Sequence, residues 1–209
     1  MRAFAVLPAA GRSLRMGSPK LLLPWPAAGG DRTATVVEHV VATWKASRVE
    51  AVVVTVHPDD ARLAELCRAA GAEVVVPSTP PPDMKASIRA GLEFLAERYR
   101  PDRHDIWLTA PADLPLLTTT SIDLLIEAAE AHPGVCLRPR YGDRYGHPVV
   151  WPWSFAADVA GLAADEGLNA LLQRISWQVC DAGPACVSGD LDTPADYAAL
   201  RARQDRYDR

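Results

Sequence analysis

Apolar positions follow two rhythms along the chain. Unbroken runs such as Ala3-Phe4-Ala5-Val6-Leu7, Ala51-Val52-Val53-Val54-Thr55-Val56 and Ile106-Trp107-Leu108-Thr109 are too short for ordinary helices. They predict strands covered on both faces. Between them, Val36, Val37, Val40, Val41 and Trp44 recur at helical spacing behind Thr35 and Glu38, the pattern of a capping box. Asp59 is placed to cap a second helix running through Ala70, and Gly71 suits the left-handed position beyond it. A further strand is expected over residues 73–76. The segment Pro77-Ser78-Thr79-Pro80-Pro81-Pro82 lacks the amide donors that a helix or central strand requires. It predicts a stiff loop delivering the chain to a helix over residues 83–98.

The same alternation continues: a helix over 120–131, a strand near 135–137, a Tyr141-Gly142-Asp143 turn and a strand over 148–151. Helical stretches over 154–162 and 166–174, a strand over Trp177–Cys180 and a last helix with Pro194 in its first turn complete the reading. Alternating strands and helices predict an α/β layered sheet with right-handed crossovers. Ligands in such sheets bind beyond the carboxyl ends of strands. The loops after Leu7, Val76 and Thr109 are therefore the candidate sites of chemistry.

Composition narrows the class. With 49% hydrophobic and 23% charged residues the chain reads as a globular enzyme, not a disordered segment. A length of 209 residues without a visible linker predicts one domain. The net charge of −4, with no long basic run, argues against a nucleic-acid partner. No stretch approaches the roughly 20 apolar residues of a membrane span, so no membrane partner is expected. The apolar run at 3–7 is too short for a signal peptide, and Arg12 and Arg15 follow closely. The four dispersed cysteines, Cys67, Cys136, Cys180 and Cys186, read as reduced thiols, and a cytoplasmic protein is expected.

The most informative segment is Leu7-Pro8-Ala9-Ala10-Gly11-Arg12-Ser13-Leu14-Arg15-Met16-Gly17-Ser18-Pro19-Lys20. Small residues at 9–11 let a ligand approach the main chain, and Gly11 and Gly17 are free to adopt positive φ. Such a loop turns successive amides toward an anion, while Arg15 and Lys20 add two cations. The Walker spacing fails, since five residues separate Gly11 from Gly17, and the dinucleotide fingerprint is absent.

The string A-A-G-R-S-x-R-M-G-x-x-K after a strand resembles the signature of the molybdenum-cofactor nucleotidyltransferases, especially molybdopterin cytidylyltransferases. The resemblance implies a single-domain, three-layer α/β/α Rossmann-like nucleotidyltransferase fold, its sheet mostly parallel with an antiparallel element. It implies a nucleotide-binding half over about 1–118 and an acceptor-binding half over about 119–209. By motif match, Leu7, Ala9, Ala10 and Gly11 lie against the nucleotide, and Arg15 and Lys20 hold the triphosphate. Pro8 is a minor departure from many members.

Asp113, in Ala112-Asp113-Leu114-Pro115, resembles the family's Gly-Asp-x-Pro and follows a predicted strand, where a carboxylate can hold Mg²⁺ against a triphosphate. Asp190-Leu191-Asp192-Thr193-Pro194-Ala195-Asp196 resembles the family's D-x-D-T-P-x-D, which assigns Asp192 to the same metal; capping of the last helix by Asp192 or Thr193 is the alternative. Residues 83–91 resemble G-M-S-S-S-x-R-x-G near the base and ribose. Ser87, Arg89 and Gly91 match, whereas Asp83, Lys85 and Ala86 do not, which leaves nucleotide choice open. His147 belongs to a Gly-His-Pro match and is a candidate acceptor contact or a structural turn residue. Asn169 replaces an arginine in a stretch that shapes the acceptor site in relatives.

The implied activity is Mg²⁺-dependent transfer of a nucleotidyl group, CMP from CTP by preference, to a phosphorylated acceptor such as molybdopterin, with Lys20, Arg15 and Asp113 catalytic. A phosphate monoester is already largely anionic at neutral pH, so no strong general base is needed. The alternatives are guanylyl transfer from GTP, cytidylyl transfer to a small phosphorylated alcohol, and a non-catalytic nucleotide-binding partner in molybdoenzyme maturation.

Overall fold

Strand β1 (Ala3–Ala9) is buried along its whole length at the centre of the sheet. The computed structural model describes residues 1–13, 15–26, 33–187 and 189–207, with side chains through residue 204. On one side β1 pairs in parallel with β4 (Ala51–Val56), and β4 with β5 (Glu73–Val75). On the other it pairs in parallel with β6 (Ile106–Thr109). Beyond β6 lie β9 (Val149–Pro152), antiparallel to its neighbours, then β7 (Cys136–Tyr141) and β10 (Trp177–Cys180), which are parallel to each other. The strands from the second half thus extend the same sheet, with β9 as its antiparallel element.

Alternate residues of β1 face opposite cores, which is why its sequence is apolar without interruption. Ala5 and Leu7 pack with α1 (Val36–Lys45), α2 (Ala61–Ala69) and α4 (Thr119–Ala131). Phe4 and Val6 pack with α3 (Met84–Tyr99), α5 (Ala156–Ala160) and α6 (Leu168–Arg174). The predicted three-layer architecture follows from these two cores. In α3, Gly91 lets the helix lie close to β1: a Cβ there would come within 2.8 Å of Val6 Cγ1. Trp25, Trp44, Trp107 and Trp151 are core residues, and Trp107 stacks on Trp151 with ring centroids 5.4 Å apart.

Most expected elements appear, with instructive shifts. The Thr35–Glu38 capping box forms at the start of α1. The cap of α2 is Asp60, not Asp59: Asp60 Oδ1 accepts from Leu63 N at 3.0 Å, one residue closer to the first helical turn. Gly71 takes φ 92° as its place after that helix requires. β7 is longer than expected and turns through Gly142 into β8 (Arg144–Tyr145). A small antiparallel pair, β2 (Pro24–Pro26) and β3 (Thr33–Thr35), was not anticipated. The helical stretch over 154–162 is a 3₁₀ turn followed by the five residues of α5.

Cys67, Cys136 and Cys186 are buried free thiols, and burial pushes each thiol pKa up to about 12. Among the described residues no helix is long and apolar enough to cross a membrane.

Candidate active site

The site begins where β1 parts from β6. Their ladder stops at Val6 opposite Thr109, while β1 continues beside β4 as far as Ala9. The gap opens a cleft of about 450 Å³. Pro8 to Ser13 form one wall, Pro80 to Met84 and Ser87 another, and Pro111 to Asp113 a third. The stiff proline loop predicted over 77–82 therefore supplies a wall of the site. Asp83 caps α3 by accepting from Ala86 N at 2.7 Å, which aims the start of that helix at the cleft.

The loop after β1 bends through two left-handed residues, Ser13 (φ 51°) and Gly17 (φ 70°). Gly11 does not adopt positive φ, contrary to expectation, and no neighbour lies within 4 Å of where its Cβ would stand. Its value there is open space beside the main chain. The bend returns the chain so that Lys20 N donates to Ser13 Oγ at 3.3 Å. Lys20 then points back into the cleft mouth.

Asp113 meets it from the loop after β6, and Lys20 Nζ donates to Asp113 Oδ2. The main-chain oxygen of Asp113 accepts from Leu191 N at 3.2 Å, which stitches the distant 190–193 segment to this loop. Thr193 caps α7 (Pro194–Tyr207) through a reciprocal pair of bonds with Asp196, Thr193 Oγ1 accepting from Asp196 N and Asp196 Oδ2 accepting from Thr193 N. The cap role thus falls to Thr193. Asp192 is released to face Lys20 Nζ at 3.0 Å and Arg15 Nη2 at 2.9 Å. Four predicted residues, from the beginning, middle and end of the chain, converge.

Burial pushes the Asp113 carboxyl above the ordinary carboxylate range, against the pull of the Lys20 ammonium. Burial acts to lower Lys20, but Asp113 and Asp192 together outweigh it and hold the ammonium above its ordinary value. Asp113 Oδ1 is buried and has no hydrogen-bond partner among the described residues. A bare buried carboxylate oxygen costs stability unless something satisfies it. A hard divalent cation suits such a set, because its favoured ligands are oxygens. Among the described residues no three potential metal-ligating side chains cluster. The remaining ligands would have to be water and substrate phosphate, which is how Mg²⁺ is ordinarily held.

Other candidates are placed differently. Ala9, Ala10 and Ser87 line the cleft. Leu7 is fully buried in the core and does not line the cleft. Arg89 lies outside the cleft. It is exposed, pairs with Glu93 at 3.5 Å, and borders a separate groove with Trp153 and Ala157. Two residues along a helix turn through about 200°, so Ser87 and Arg89 cannot share a face. Arg89→Ala is expected to leave triphosphate affinity within about twofold, as for an ordinary surface change; calorimetric titration checks this, and a tenfold loss would return Arg89 to the site. Lys85 also leaves the cleft, donating to the carbonyls of Ala163 and Ala164.

His147 lies outside the cleft lining and packs against the end of β6. Its amide donates to Cys186 O at 2.9 Å, and its ring meets the Thr109 backbone. Burial lowers its pKa below the ordinary histidine value, and Nδ1 is buried without a partner among the described residues. The neighbouring Gly146 is sterically required: a Cβ there would fall 1.9 Å from Cys186 O. Gly146→Ala must therefore displace the backbone of the segment leading to Asp192. Overpacking of this kind costs about 1–3 kcal/mol, and equilibrium denaturant unfolding should show it together with weakened activity. Unchanged unfolding would mean that the two segments separate freely.

Sequence reasoning missed His57 and Arg12 as cleft residues. His57 Nδ1 accepts from Asp59 N at 3.1 Å, its Nε2 lies 3.4 Å from Arg12 Nη2, and Arg12 pairs with Asp59 at 3.4 Å. The available signal was position. His57 directly follows β4, whose carboxyl end lies beside that of β1.

The family model described as a MobA-like NTP transferase domain matches residues 5–179. No curated protein matches the chain. Among solved structures, Rv0371c from Mycobacterium tuberculosis H37Rv is similar at 24% identity, over 97% of this chain and 98% of its own, with a TM-score of 0.70. That protein is also solved in complex with manganese. A nucleotidyl transferase from Methanothermobacter thermautotroptrophicus (Mth528) is similar at 21% identity over 99% of both chains, with a TM-score of 0.76. CMP:2-keto-3-deoxy-manno-octonic acid synthetase, complexed with CTP, is similar at 15% identity over 99% of this chain and 100% of its own, with a TM-score of 0.69.

Proposed function

Since the chain belongs to the MobA-like NTP transferase family and is a nucleotidyltransferase, we propose that it moves CMP from CTP to a phosphorylated acceptor such as molybdopterin. An acceptor phosphate oxygen attacks the α-phosphorus; the new O–P bond forms as the bond from the α-phosphorus to the bridging oxygen breaks, and pyrophosphate leaves. The observation that carries this reading is the meeting of Lys20, Arg15, Asp113 and Asp192 at the mouth of the cleft.

Lys20 and Arg15 bind the triphosphate and offset the negative charge that builds on the departing pyrophosphate. Asp113 and Asp192 would hold Mg²⁺, which when bound would supply neutralisation of phosphate charge. Ala9, Ala10 and Gly11 let the nucleotide approach the main chain, while Ser87 borders the cleft opposite them. No general base is required, because the attacking phosphate is already anionic. Positioning and charge stabilisation supply the catalysis. The manganese complex of Rv0371c and the CTP complex of the keto-deoxyoctonate synthetase support a divalent cation and a cytidine nucleotide. His147 contributes on the acceptor side, and the enzyme works in the cytoplasm, handing its product to a molybdoenzyme.

The deciding experiment is pyrophosphate release with each nucleoside triphosphate against molybdopterin and small phosphorylated alcohols. CTP-dependent release with molybdopterin supports the reading. Turnover with GTP alone would replace CMP transfer by guanylyl transfer, and turnover with phosphorylated alcohols alone would replace the acceptor. The non-catalytic alternative rests on the departures at Lys85 and Ala86, of which Lys85 turns away from the cleft to the carbonyls of Ala163 and Ala164.

A further inference from the structure

One ammonium stands between the two carboxylates assigned to the metal. Lys20 Nζ contacts Asp113 Oδ2 and lies 3.0 Å from Asp192 Oδ1, while Arg15 covers the other oxygen of Asp192 at 2.9 Å. Carboxylates that share a site repel one another unless a positive charge lies between them. At contact distance two carboxylates face two cations, and Asp190 and Asp196 add negative charge further out, beside Asp113 and Arg15. A divalent cation arriving alone would have to expel the ammonium from both of its partners. Arriving on a triphosphate, the same cation comes with excess negative charge, and the phosphate oxygens offer Lys20 and Arg15 new partners.

Lys20 can make this exchange without backbone movement. Its side chain borders the cleft beside Ala9, Ala10 and Gly11, and its stem is long, flexible and capped by three rotatable donors. The ammonium also serves the carboxylates incompletely, since Asp113 Oδ1 remains buried and bare among the described residues. A placeholder leaves such a remainder.

We propose that Lys20 is a positioning residue for the cation site: it holds Asp113 and Asp192 together as an internal counter-ion, and yields them to a divalent cation only when a triphosphate draws it away. Metal and nucleotide therefore enter as a unit, and each strengthens the binding of the other. This rests on the reading that Asp113 and Asp192 are the cation's ligands.

The test is Mn²⁺ binding to the full chain, followed by the paramagnetic resonance signal of the free ion, with and without a non-hydrolysable α,β-methylene analogue of CTP. The analogue should tighten Mn²⁺ binding by a factor within the roughly 5–150-fold range of ordinary site coupling, and Mn²⁺ should tighten the analogue equally. Lys20→Met, which keeps the apolar stem and removes the charge, should bind Mn²⁺ about tenfold more tightly than the parent without nucleotide. Lys20→Arg should retain the weak binding. A merely structural lysine would weaken Mn²⁺ binding when lost.

Equal Mn²⁺ affinity of the parent with and without the analogue overturns the proposal, and needs no variant to fold. So does unchanged or weaker binding by Lys20→Met. Adding Asp113→Asn to Lys20→Met separates the two levels. If Mn²⁺ affinity does not fall, Asp113 is not a ligand and the underlying reading fails. If it falls although Lys20→Met had gained nothing, the counter-ion role alone fails.

Discussion

Asp113→Asn should lower kcat/KM by on the order of 10²–10³ while leaving the protein as stable as the parent or more so. The two halves of this expectation share one cause. Asp113 is almost fully buried at the carboxyl end of β6, and burial lifts its carboxyl above the ordinary range. A carboxyl whose folded pKa is raised binds its proton more tightly in the native state than in the unfolded chain. Its contribution to stability is present at low pH and is lost as pH rises through the folded value. At neutral pH the ionised form is therefore a net cost to folding. Asparagine removes that cost and nearly preserves shape, but it also removes the charge that holds the cation and one of the two anionic partners of Lys20. Strain or cost maintained at a functional site in this way is a common trade of stability for activity.

Two measurements check it: pyrophosphate release over a range of Mg²⁺ concentrations, and thermal unfolding between pH 5 and 8. Activity within about threefold of the parent at every Mg²⁺ concentration would remove Asp113 from the mechanism. A large drop in stability at neutral pH would show that Asp113 is a structural anchor whose loss disturbs the site indirectly.

The layered sheet was legible because its local signals agree with its tertiary demands. The 3–9 and 51–56 segments are apolar at every position or nearly so, as strands between two helical layers must be, and the Thr35–Glu38 box marks the first helix start without ambiguity. Asp59 and its neighbour Asp60 are both good cap residues, and only the path of the preceding turn gives the cap to Asp60. The same limit explains Arg89. A motif match fixes its place in the sequence, but its face depends on the phase of α3, which close packing through Gly91 sets against Val6. Asp192 was ambiguous for a different reason. Its segment could serve the last helix or the cation, and only the structure shows that Thr193 and Asp196 form the cap, which leaves Asp192 available for the proposed cation role. His57 carried no motif at all. It becomes a cleft residue through the register of β4 beside β1, a property of the sheet and not of any segment.

Lys20→Ala should cost on the order of 10²–10³ in turnover, and Arg15→Ala distinctly less. Both side chains are assigned to the triphosphate, and both pair with Asp192, yet their surroundings differ. The Lys20 side chain is 18% exposed and that of Arg15 75% exposed. A charge enclosed by protein acts through a lower effective dielectric than one facing water, so its interaction with developing negative charge is several times stronger. Salt should matter in the opposite order, screening Arg15 more than Lys20. Lys20→Arg is not expected to restore the rate, because a planar guanidinium fork keeps the positive charge beside the carboxylates but cannot present it to phosphate as a compact, freely rotating ammonium does. Pyrophosphate release at saturating Mg²⁺, with triphosphate varied at two ionic strengths, distinguishes the roles. If Lys20→Ala retained turnover within about threefold of the parent, or if Arg15→Ala proved the more damaging, the charge that matters in the transition state would lie nearer the solvent edge of the loop than the buried pairing of Lys20 with Asp113 implies.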